Sequence, residues 1–239
     1  MVIQPFLAMT AAEMRICSRF PEKIAWMACH FSPYGLGLSN LPKELPPGSL
    51  LIVDDITPPH GHDPVLITKQ LTKCAESLQC CGILLDFQRQ GCEETQAIAK
   101  YLTAALPCPT AVSECYAQEL DCSIFLPPLP PSVALQAYLT PWKNREVWLE
   151  LGADGEKITL TEKGAESSIL PYSGLEIAGF NDEQLHCHYK IETNENAASF
   201  TLWRTKKDFE QLLEEAKTLG VINTVGLYQE IATSLRSSQ

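Results

Sequence analysis

Short apolar runs that stop abruptly at polar residues or prolines recur through the first half of the chain. Leu50 to Val53 is closed by Asp54 and Asp55, Gly82 to Leu85 by Asp86, and Thr110 to Val112 by Ser113 and Glu114. Ser123 to Leu126 is stopped by the proline pairs Pro127-Pro128 and Pro130-Pro131. Compact runs of this kind are the mark of parallel strands buried from both sides. Helical patterns lie between them. Asp63-Pro64 sets a capping carboxylate before a proline at the first helical position. It predicts a helix to about Leu78, carried on Val65, Leu66, Leu71, Cys74 and Leu78. Glu93 to Ala105 predicts another, with acidic residues in its first turn. Thr10, with Glu13 three residues on, predicts a capped helix over Thr10 to Phe20. Ile24 to Cys29, ending at His30, predicts a strand, and Ser32 to Gly48 is too rich in glycine, proline and asparagine for regular structure.

The second half alternates. Glu146 to Leu151 and Lys157 to Thr161 flank Asp154-Gly155 and predict a β-hairpin. Leu185 to Ile191 and Ser199 to Trp203 predict a second one around Asn194 to Asn196. Thr205 then caps a helix with Phe209, Leu212, Leu213, Ala216 and Leu219 on one face and Gly220 closing it. Val221 to Leu227 predicts the last strand. Strand, loop, helix and strand at this spacing imply right-handed crossovers and a parallel sheet. Strands starting near residues 24, 50, 82, 110, 123, 146, 185 and 222 make eight. The expected fold is therefore α/β, a (β/α)8 TIM-barrel-like architecture with some helices replaced by β-hairpins in the second half. No linker or internal repeat divides residues 1–239, which read as one domain.

Composition narrows the class. The chain has 239 residues, enough for a sizeable core. Its net charge of −11 repels polyphosphate and anionic lipid, so no nucleic acid and no membrane is expected as a partner. No run reaches the roughly 18 apolar residues of a membrane span, and Met1 to Ala12 lacks the basic start of a signal peptide. Ten cysteines without a CxxC pair point to free thiols and a reducing cytoplasm.

The strand ends carry the candidate chemistry: His30, Asp54 and Asp55, Asp86 and Gln88, Glu114, Glu150, His186 and His188, Tyr228 and Glu230. In a barrel these converge on the C-terminal mouth, where such folds place their sites. Asp86, Glu114 and Glu230 are expected to share a pocket as catalytic carboxylates. His30, Asp54, Asp55, Gln88, Glu150 and Tyr228 are expected to bind substrate there.

The segment Gly82-Ile83-Leu84-Leu85-Asp86-Phe87-Gln88 resembles the DxxDxDxE strand of family 18 glycoside hydrolases, the chitinase-like barrels. In that family the glutamate protonates the glycosidic oxygen and the preceding aspartate orients the acetamido group. The resemblance puts Asp86 at that aspartate and Gln88 at the acid, with Leu84 replacing the aspartate before. Glutamine donates no such proton, so the resemblance implies an inactive or rewired site, and no cofactor. If a glycosidic bond is cleaved, Glu114, Glu150 or Glu230 must serve, and Trp142, Trp148 and Trp203 are available to stack on sugar rings. The expected partner is a carbohydrate or other small molecule. One alternative is a non-catalytic binding protein with a degenerate glycosidase site. Another rests on two HxH triplets, His60-Gly61-His62 and His186-Cys187-His188, as ligands of a divalent metal such as zinc or manganese in a metal-dependent hydrolase. No GxSxG, Walker or GxGxxG motif is present.

Overall fold

The computed structural model describes residues 5–17, 21–171 and 179–235. Eight parallel strands close into a barrel: β1 (Phe6–Met9), β2 (Ile24–Phe31), β4 (Leu50–Asp54), β5 (Gly82–Asp86), β6 (Thr110–Ser113), β7 (Ser123–Leu126), β8 (Val147–Leu151) and β14 (Asn223–Leu227). They stand in the order β1-β14-β8-β7-β6-β5-β4-β2, and β1 pairs back onto β2 to close the ring. A two-residue strand, β3 (Leu38–Ser39), adds antiparallel to the end of β2. Around the barrel lie α1 (Ala11–Ile16), α2 (Pro64–Ser77), α3 (Glu93–Ala105), α4 (Glu114–Ala117), α5 (Leu135–Leu139), α6 (Lys206–Thr218) and α7 (Tyr228–Leu235). The barrel with its flanking helices is the TIM-barrel-like architecture expected.

The alternation of strand side chains sorts the core into two layers. Phe6, Ala8, Ala25, Leu50, Ile52, Leu84, Ala111, Phe125, Trp148 and Val225 fill the barrel interior. Their neighbours Leu51, Val53, Ile83, Leu85, Val112, Ile124 and Leu149 face outward, against Ile67 and Leu71 of α2, Ile98 and Leu102 of α3, and Leu212 and Ala216 of α6. Trp148 is the largest fully buried side chain, and Gly82 makes room for it. A Cβ at Gly82 would stand 3.1 Å from the indole and 2.9 Å from the Pro109 carbonyl.

The helix ends follow their sequence signals. Thr10 and Glu13 form a reciprocal capping box, Asp63 caps α2 at the Val65 N–H, and Thr205 pairs with Asp208 at the start of α6. Gly220 closes α6 at φ +85°, the left-handed region glycine favours. α1 ends at Ile16, and the rest of the helix expected to Phe20 falls partly outside the described residues.

Two strand assignments are corrected. The segment near 185 is no barrel strand: β12 (Cys187–Asn194) belongs to a five-stranded antiparallel sheet, β10-β9-β13-β12-β11. Its other members are β9 (Gly155–Thr161), β10 (Gly164–Leu170), β11 (Phe180–Asp182) and β13 (Ala197–Trp203). The missing barrel strand is β1, whose four residues are all buried, whereas most of β12 is exposed. Nor does Asp154-Gly155 turn a hairpin. β8 is buried on both faces and runs parallel between β7 and β14, while β9 turns at Glu162-Lys163 to pair with β10. The hairpin of β12 and β13 around Asn194 to Asn196 forms as expected.

This antiparallel sheet is inserted between β8 and α6 and is held by buried polar contacts. Arg204, just after β13, donates to the carbonyls of Leu129 (2.6 Å) and Pro130 (3.2 Å) in the loop after β7. Glu156 of β9 accepts from the Ser132 N–H at 3.1 Å in the same loop.

Candidate active site at the barrel mouth

Parity along each strand decides which polar residue enters the barrel. Leu50 and Ile52 point inward, so Asp54 does too. Leu84 is followed two residues on by Asp86, Ala111 by Ser113, and Trp148 by Glu150. Asp54, Asp86 and Glu150, with Gln88 and Arg89 on the loop after β5, border a cavity of about 440 Å³ floored by Ile52, Leu84, Phe125 and Val225. That volume lies within the range of about 300–1,000 Å³ for ligand pockets.

Asp86 sits in register beside Asp54, which in turn is in register with His30. The Asp86 carboxylate is held by two donors, the Gln88 amide (2.5 Å) and the Ser113 hydroxyl (3.2 Å). Burial raises its pKa, and those two hydrogen bonds oppose the rise. Burial also raises Asp54, opposed by the Ile56 N–H and by His30. Glu150 is pushed up to about 7, first by burial and then by the like charges of Asp86 and Glu230. Among the described residues its carboxyl makes no hydrogen bond or ion pair. A carboxyl so placed holds its proton near neutrality, as a general acid must.

The neighbouring carboxylate of the Asp54-Asp55 pair does other work. Asp55, 2% exposed, accepts from the backbone N–H groups of Gln88 (2.8 Å) and Arg89 (3.1 Å) and so fixes the loop that carries the Gln88 amide. The Arg89 side chain donates to the carbonyls of Asp55 and Ile56.

Asp86, Glu114 and Glu230 do not border one cavity. Glu114 begins α4, on the opposite parity from Ser113, and borders neither this cavity nor the next. Glu230, on α7, accepts from the Ala153 N–H at 3.4 Å and borders a second cavity of about 420 Å³. Pro127 to Pro131, Gly152, Asp154 and Glu156 form the rest of its wall, and Glu150 and Leu227 border both cavities. His30 contacts the Asn40 amide at 3.4 Å, and the Tyr228 hydroxyl lies 3.7 Å from Cys17 Sγ. The tryptophans are structural: Trp148 and Trp203 are buried, and Trp142 packs against the outer core.

The histidines of the two triplets are engaged separately. His60 pairs with Glu94, and His62 contacts the Ser32 carbonyl and packs edge-on to Phe31. His186 and His188 hydrogen-bond Glu215 and Asp208 of α6, at 2.7 and 2.8 Å. Among the described residues no three of His, Cys, Asp and Glu gather as a metal site would require. The four side chains expected as metal ligands are instead bound one by one to carboxylates or a carbonyl.

Ser113 and Arg89 were not anticipated as site residues. Ser113 was visible as a strand terminus, and the parity of Ala111 and Ser113 is the signal that selects it over Glu114. Among the described residues no helix is long and apolar enough to cross a membrane.

No protein-family model matches the chain, and no curated protein matches its sequence. Solved structures do. The GH18 chitinase from Cycas revoluta, in complex with (GlcNAc)3, is similar at TM-score 0.56 and 11% identity, over 93% of this chain and 94% of that one. The chitinase from Chromobacterium violaceum is similar at TM-score 0.51 and 10% identity, over 93% of each chain. The Bacillus cereus spore cortex-lytic enzyme SleL follows at TM-score 0.50 and 11% identity, covering 85% of this chain. This chain spans 63% of the length of SleL. At such identities the likeness is one of fold alone, the TIM-barrel-like fold that these structures share with this chain.

Proposed function

We propose that this protein is a glycoside-hydrolase-like barrel that binds a carbohydrate at its C-terminal mouth. One observation carries the reading: a cavity whose floor is apolar and whose rim holds Asp54, Asp86, Gln88 and Glu150. A sugar ring has the matching character, with apolar C–H faces between hydroxyls that need both donors and acceptors. Asp86, fixed by Gln88 and Ser113, presents a preorganised acceptor. The likeness in fold to chitinases supports N-acetylglucosamine oligomers as the first ligands to test. The reading calls for no cofactor, and ten free thiols support a cytoplasmic setting.

Calorimetric titration with (GlcNAc)4 tests it. Wild-type protein is expected to bind with a stoichiometry near one, and Asp86→Ala to weaken binding by at least tenfold, about 1.4 kcal/mol. Saturable binding unaffected by Asp86→Ala, or no binding of any neutral oligosaccharide, would overturn it.

A further inference from the structure

We propose that Glu150 is the proton donor of a glycosidase, in place of the acid that Gln88 cannot be; the proposal rests on the carbohydrate reading above. Glu150 and Leu227 are common to the borders of the two cavities. A glycan lying with sugars in both must carry a glycosidic linkage past them. Of the two shared side chains only Glu150 holds a proton to give. It is also the mouth carboxyl left without a hydrogen-bond partner among the described residues, whereas Asp86 is tied down by Gln88 and Ser113. The two carboxyls therefore have separate environments, which is how a pair divides into an acid and an anion. Burial and the neighbouring charges of Asp86 and Glu230 keep the Glu150 proton on near neutrality.

The step balances without a further reagent besides water. Glu150 gives its proton to the glycosidic oxygen, and the bond from that oxygen to the anomeric carbon breaks with its electron pair left on oxygen. Positive charge on the anomeric carbon faces the anchored Asp86 carboxylate. Water adds to that carbon and returns a proton to Glu150, which restores the acid.

Three measurements on the full chain test this: binding of (GlcNAc)4, its cleavage followed by mass spectrometry from pH 4 to 9, and both repeated with Glu150→Gln. Expected are shorter oligosaccharides from wild-type protein, with kcat/KM falling as pH rises above about 7. Glu150→Gln should cut cleavage by roughly 10²- to 10⁴-fold, well beyond any weakening of binding, and an unchanged circular dichroism spectrum shows that the variant is folded. On a nitrophenyl glycoside of the same sugar, whose leaving group departs without a proton, the loss should shrink to under about tenfold. Binding without cleavage by wild-type protein would overturn the acid and leave the carbohydrate reading standing, as would cleavage by Glu150→Gln at the wild-type rate. Absence of binding would instead remove the reading on which the proposal rests.

Discussion

One buried carboxyl at the mouth ties the stability of this barrel to pH. An unfolded glutamate titrates near 4.3, and Glu150 in the folded chain is pushed up to about 7. Between those values the folded state holds a proton that the unfolded state has lost, so stability falls as pH rises through the window. Glu150→Gln removes that loss. Thermal melting should find the variant more stable than wild type at pH 8, by on the order of 3–4 kcal/mol, with the difference gone at pH 4. A wild-type and variant pair with parallel melting curves from pH 4 to 8 would contradict it. Residue identity alone did not reveal this environment. The strand ends named Glu150 and Asp86 from the sequence, yet gave Asp54 and Asp55 equal standing and chose Glu114 over Ser113. What separates them is the inward or outward parity of each strand, and that is anchored only when the barrel interior is known. Leu50, Ile52 and Leu84 are as apolar as their outward neighbours, because parallel strands are buried on both faces and carry no alternation to read.

At the scale of elements, the same absence of alternation explains which assignments were legible. α3 and β7 fall where their patterns end, and the caps at Thr10, Asp63 and Thr205 act locally, so each is set by a few adjacent residues. β1 was hidden because Phe6–Met9 is only four residues within the apolar stretch Met1 to Ala12, and its strand character comes from pairing with β2 and β14. Pairing partners distant in sequence also sent β8 to the barrel and β9 to the antiparallel sheet. That sheet depends on Arg204, whose guanidinium is buried and whose pKa is lowered to about 10 by that burial. Arg204→Ala should cost about 2–4 kcal/mol in urea denaturation, since it strands the Leu129 and Pro130 carbonyls and empties a buried position. It should also alter the proline wall of the second cavity, which the same loop forms. Inside the barrel, Gly82→Ala should cost about 1–3 kcal/mol by pressing on Trp148 and the Pro109 carbonyl. An Arg204→Ala or Gly82→Ala protein as stable as wild type would show that these contacts add nothing.

For the whole molecule, a barrel was legible because seven of its eight strands were read from their apolar runs, the eighth being β1 in place of the segment near 185. The inserted sheet was legible only as the β12–β13 hairpin, because its other pairings, such as β9 with β13, join runs far apart in sequence. The closure through β1 has a further consequence, which lies in time rather than in space. During synthesis β1 emerges first and finds β2 soon after, but its other edge has no partner until Asn223–Leu227 of β14 has been made. Until β14 has been made the nascent barrel is thus an unfinished curl with two bare edges, one on β1 and one at its newest strand. Such edges invite pairing with other chains. A chain stopped after Thr218 should therefore remain an aggregating, chaperone-bound species, whereas a chain with β14 clear of the ribosome becomes protease-resistant. Pulsed proteolysis of chains stalled on the ribosome at successive lengths would show whether resistance arrives in that single late step.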